Sequence, residues 1–77
     1  MTERQFDRQL LRLVDFAISD GRNGHNPRGG LLHAIDAVAY AIGETLDAED
    51  TAIFTEEYHY FYQQGQKEAA AIEWSTV

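Results

Sequence analysis

Apolar residues recur along this chain at helical spacing. Phe6, Leu10, Leu13, Val14 and Ala17 fall at i, i+4, i+7, i+8 and i+11, one stripe of a helix, and Leu11 and Ile18 widen it on one side. Arg4, Arg8, Arg12 and Asp15 lie on the opposite face. The segment opens with Thr2-x-x-Gln5, the spelling of a capping box. Asp20-Gly21 offers a glycine for the left-handed C-cap. The pattern predicts a first helix over residues 2–20.

Residues 21–30 read GRNGHNPRGG, with four glycines, one proline and two asparagines. Pro27 pushes Asn26 towards an extended backbone, so no helix should cross it. The composition predicts a long glycine-rich surface loop over 21–30. Beyond it Leu31, Ile35, Val38, Ala39, Ile42 and Leu46 form a second helical stripe, predicting a helix over 31–47. Its other face is not polar, because Ala34, Ala37, Tyr40 and Ala41 occupy much of it. A helix apolar nearly all round is usually covered on more than one side. It is therefore expected at the centre of the fold or in a dimer interface.

Asp47 to Thr51 supplies N-cap residues for a third helix over 51–72, striped by Phe54, Tyr58, Phe61, Tyr62, Gly65, Ala69 and Ile72. The second and third stripes are out of phase by about 140° if carried through one helix, which argues for a corner between Leu46 and Ile53. Gly65 is a weak point, costing about 1 kcal/mol against alanine unless a close neighbour needs the missing side chain. A kink there, or two shorter helices, is the alternative. The tail Glu73–Val77 has strand propensity and no evident partner strand. The fold class expected is all-α, a compact three-helix domain spanning 1–77, with no room for a second core in 77 residues. So small a domain without disulfides or metal has little stability to spare, and dimerisation would relieve that.

Composition narrows the class. At 44% apolar residues the chain is too hydrophobic for disorder, and no apolar run approaches a membrane span. The N-terminus lacks the apolar core of a signal peptide. The absence of cysteine excludes disulfides and thiolate-metal sites. A soluble, cytoplasmic protein is expected. Charge divides unevenly: residues 1–30 carry net +1 and residues 31–77 net −8. Six acids, Glu44, Asp47, Glu49, Asp50, Glu56 and Glu57, cluster without a base among them. Such a field repels nucleic acid and anionic membranes and attracts basic surfaces.

Three constellations bear on chemistry. Gly24 to Gly29 matches half of a phosphate-binding P-loop, but Gly30-Leu31 stands where Lys-Ser/Thr is required. What remains is an anion loop in which Gly29 and Gly30 amides at a helix N-terminus act beside Arg22, His25 or Arg28; the alternative is a connector whose glycines make turns. Glu56-x-x-His59 has the spacing of a di-iron ligand pair, but a second ligand set would have to come from another chain, through His33-x-x-Asp36, and Glu56 points away from the third stripe, so no metal or cofactor is expected. Ser19 and Ser75 are the only serines, and Ser19-Asp20 with His25 is proximity in sequence alone. An oxyanion hole and an orienting scaffold have no evident source, so an enzyme is not expected.

The acids at the corner can cap the third helix, yet that leaves the scarcity of bases in the second half unexplained. In Tyr58-His59-Tyr60-Phe61-Tyr62 one helix face can bury Tyr58, Phe61 and Tyr62, and Tyr60 must point elsewhere. Tyr40 likewise lies off its own stripe, and exposed tyrosines are enriched where proteins meet. The class expected is a small non-enzymatic binding protein that docks on a basic surface of a larger protein. Its contacts would be Glu44, Asp47, Glu49, Asp50, Glu56, Glu57, Tyr40 and Tyr60. In size, charge and helical content the chain resembles small phage- or mobile-element-encoded inhibitors such as anti-CRISPR and anti-restriction proteins. That resemblance implies a nucleic-acid-handling complex as partner, with the acids standing in for phosphates. The alternative is a self-associating helical adaptor or regulatory module, a homodimer built on Ala34, Ala37, Tyr40 and Ala41; a minor alternative is a metal- or anion-binding helical protein.

Overall fold

A computed structural model describes residues 2–76, with side chains described through residue 71. Three helices follow one another: α1 (Glu3–Asn23), α2 (Pro27–Ile42) and α3 (Ala48–Thr76). No strand occurs among the described residues. The Thr2 hydroxyl accepts from the Gln5 amide at 3.1 Å while the Thr2 amide donates to Gln5 Oε1 at 2.9 Å, so the capping box forms as spelled.

The first connection is much shorter than the expected loop 21–30. α1 continues through Gly21 to Asn23 and ends on Gly24 in the left-handed conformation, at φ 70°. α2 begins at Pro27, whose missing amide hydrogen costs nothing in the first turn. Asn26 is extended and its side chain accepts from the Arg28 amide at 2.9 Å. Gly29 and Gly30 thus lie inside a helix, and only Gly24, His25 and Asn26 connect. Gly21 does not stop α1 because it has a packing role. A Cβ there would run into the Tyr62 carbonyl of α3.

The second corner also differs from expectation. Gly43, at φ 73°, ends α2 before Leu46, and the turn occupies Gly43 to Asp47. Asp47 Oδ1 accepts from the Asp50 amide at 2.7 Å and so opens α3. α3 then runs unbroken through Gly65, with neither the kink nor the two shorter helices. Gly65 faces the backbone of Ile18 and Arg22, where a side chain has no space. The backbone of Glu73–Thr76 is the end of α3, not a strand, while Val77 and the Ile72 side chain lie outside the described residues.

Phe6 stacks on Phe54 near the two helix starts, with centroids 5.1 Å apart, and Arg22 pairs with Glu68 farther along. α1 and α3 therefore run parallel, and α2 returns between their ends. At about 1.5 Å per residue the 29 residues of α3 span ~44 Å, which accounts for the 47 Å long axis of a body only 23 by 18 Å across. The core consists of Leu13, Ala17, Ala34, Val38, Phe54, Tyr58 and Tyr62. Phe6, Leu10, Phe16, Leu31, Ile35, Leu46 and Phe61 pack at its margin. Leu11, expected to widen the α1 stripe, is exposed.

α2 is not the central helix. The main interface joins α1 to α3, and α2 makes the smaller contacts. Its buried line runs through Ala34 and Val38, so Ala34 belongs to the core and cannot serve a second interface. The same rotation leaves Leu32 62% exposed and Tyr40 91% exposed.

Candidate functional site

At the α1–α2 connection the fold assembles a group that sequence spacing does not reveal. The Tyr58 hydroxyl donates to Asp20 Oδ2 at 2.5 Å, and Asp20 Oδ1 lies 3.1 Å from His25 Nδ1. The Tyr62 hydroxyl donates to the His25 carbonyl at 2.5 Å. Gly30 makes this possible, because a Cβ at that position would occupy the space of the Tyr58 hydroxyl and the Asp20 carboxylate. Burial, then the Asp20 carboxylate as acceptor and charge, then Tyr62, push the Tyr58 phenol well above its ordinary value. Although Tyr, Asp and His are linked, the Tyr58 side chain is fully buried and presents no nucleophile to solvent. Two phenols on α3 instead latch the connection in place.

The five anion-loop residues are divided by this arrangement. Arg22 is in the last turn of α1 and pairs with Glu68. His25 faces Asp20. Arg28 and Gly29 are exposed in the first turn of α2, but the Arg28 amide is already taken by Asn26. The Gly30 amide donates to the Asn26 carbonyl at 2.9 Å. The Asp20 carboxylate, an anion itself, lies against Gly30 in this turn.

The acids spread along the corner and the outer side of α3. Glu44 follows the α2 cap, its amide donating to the Ala39 carbonyl at 3.2 Å. Asp47 caps α3, and Glu49 and Asp50 occupy its first turn. Taking Tyr58 as the direction of the core, Glu56 lies about 160° round the helix, Glu49 about 180°, Tyr60 about 200° and Ile53 about 220°. These four side chains share the outward face. Tyr60 is 57% exposed and Ile53 38%. Glu57 stands at the flank, half-buried. Glu49, Glu56 and Glu57 form no ion pair with the described residues. Tyr40 projects from α2, two residues before its end.

Ile53 was not among the expected contacts, though the phase argument that turns Tyr60 outward turns Ile53 the same way. Glu56 and His59 are both exposed, His59 edge-on to Tyr58 at 6.0 Å. His33 packs edge-on against Phe16 at 6.2 Å. Among the described residues no group of three or more His, Asp or Glu could hold a metal ion. No helix among the described residues is long and apolar enough to cross a membrane.

Fold and surface together define a three-helix bundle with an acidic, aromatic outer face on its longest helix. The chain matches no family model, no curated protein and no solved structure.

Proposed function

We propose that this chain is a small non-enzymatic binding protein that docks the outer face of α3 on a basic surface of a larger protein. The observation that carries the reading is the placement of Ile53 and Tyr60 beside Glu49 and Glu56 on the face turned away from the core, with Glu57 at its flank. Carboxylates would steer the encounter, and the two apolar groups would supply contact area once water leaves. Glu44, Asp47, Asp50 and Tyr40 extend the surface towards the corner.

The finer form of the proposal is a decoy for nucleic acid. Asp47, Glu49, Asp50, Glu56 and Glu57 fall within ten residues of rise, ~15 Å, or about one charge per 3 Å. A strand of duplex DNA presents one phosphate per ~3.4 Å of axis. A similar charge density would let α3 compete for a groove lined with Lys and Arg. The partner would then be a nucleic-acid-handling protein, and the chain its inhibitor.

The test is affinity capture from bacterial lysate at low and high salt, with mass spectrometry. The chain should recover a protein that is lost as salt rises and displaced by added DNA or RNA. Glu49→Lys, Glu56→Lys and Glu57→Lys combined should abolish capture while the circular dichroism spectrum stays helical. Capture that survives the triple reversal sinks the proposal. Capture lost with salt but not displaced by nucleic acid keeps the acidic docking surface and removes the decoy.

A further inference from the structure

We infer that α2 carries a second interaction surface, independent of α3, whose occupant is a second copy of this chain lying antiparallel to the first. Arg28, Leu32, Ile35, Ala39 and Ile42 follow one another at intervals of four, three, four and three residues, the heptad spacing of a helix–helix seam. The line lies roughly 60–140° round the helix from the buried Ala34–Val38 line. It is thus beside the core and turned partly to solvent. Leu32 is 62% exposed, and Ile35, Ala39 and Ile42 are half-buried. This placement replaces the expected interface through Ala34, Ala37, Tyr40 and Ala41, since Ala34 is consumed by the core.

Charge selects the occupant. The positive end of the seam is Arg28, in the first turn of α2; the negative end is Glu44 and Asp47, just beyond its last turn. A two-fold axis between Ile35 and Ala39 makes this pattern complementary to itself. Ile35 then meets Ala39 of the second copy, and Leu32 meets Ile42. Arg28 reaches the Glu44 and Asp47 end, where the partial negative charge of the helix C-terminus adds to the attraction. A parallel arrangement would place Arg28 beside Arg28 and the acids beside the acids. The seam is about four turns long, ~21 Å, so the contact is small and the association reversible.

Sedimentation of the full chain over about 10–500 μM tests this. A monomer–dimer equilibrium is expected. Leu32→Glu, at an exposed position, should give a monomer with an unchanged circular dichroism spectrum. Arg28→Glu and Glu44→Lys should each weaken association about tenfold or more, as like charges meet at both ends. An equimolar mixture of those two variants should restore it, because the introduced charges then face each other at one end and the native pair forms at the other. A chain that stays monomeric at the highest concentration overturns the inference and leaves the seam to a different protein. A dimer that persists in Leu32→Glu, or a mixture no tighter than either variant alone, also overturns it.

Discussion

Gly65 of α3 lies directly against the backbone carbonyl of Ile18 in α1, with no space between them for a side chain. Gly21 of α1 meets the Tyr62 carbonyl in the same way, so the two helices touch backbone to backbone. Gly65→Ala would gain about 1 kcal/mol of helix propensity and lose more to the clash with a main chain that cannot move aside. A net loss of about 1–3 kcal/mol is expected, lowering the melting temperature by roughly 5–20 °C. Gly29→Ala, where a Cβ meets nothing, should instead raise it by a few degrees. Thermal melts of the two variants should move in opposite directions.

The Tyr58–Asp20 hydrogen bond predicts a stability that falls in alkali. The folded-state value of the phenol lies well above the unfolded value of about 10. The folded chain therefore holds this proton more tightly. The contribution is fully present below about pH 10 and is lost as pH rises towards the folded value, at up to about 1.4 kcal/mol per unit. Tyr58→Phe should lower stability at pH 7 by about 1–2 kcal/mol, leaving Asp20 short of a donor. The gap between parent and variant should shrink above pH 10. Urea titrations at pH 7 to 11 measure it; a gap independent of pH is inconsistent with the bond.

Phe54 and Tyr40 predict the two extremes of cost for an aromatic residue. Phe54 is fully buried and stacked on Phe6, whereas Tyr40 is exposed. Phe54→Ala should cost about 3–5 kcal/mol, most of the stability of so small a domain. Tyr40→Ser should change stability by no more than about 0.5 kcal/mol. Urea midpoints report both.

Asn26 is the third point at which a single side chain matters. Its carboxamide oxygen accepts from the Arg28 amide at the start of α2, next to the latch formed by Tyr62 and His25. Asn26→Ala should cost about 1 kcal/mol, or roughly 4–8 °C in a domain of this size. Asn26→Asp should retain the cap and most of the melting temperature.

Features governed by neighbours three or four residues apart could be read from the chain alone. The capping box at Thr2, the Phe54–Tyr58–Tyr62 line and the outward turn of Tyr60 follow from helical spacing, as does the outward turn of Glu49 and Glu56. Helical phase also determines the direction of Ile53, although composition drew attention to the acids instead. Contacts between distant residues decided the rest. Local chemistry reads Gly21 as a helix end, but its contact with Tyr62 makes it the middle of a crossing. Glycines 29 and 30 suggest a loop, yet Pro27 and the Asn26 cap start a helix before them. Hydropathy puts α2 at the centre, while its buried line runs through Ala34 and Val38 and leaves Leu32 and Tyr40 turned to solvent. The latch joins Tyr58 to Asp20 across 38 positions of sequence. Periodicity states which side of a helix is apolar; only the packing of all three selects which part of that side is covered.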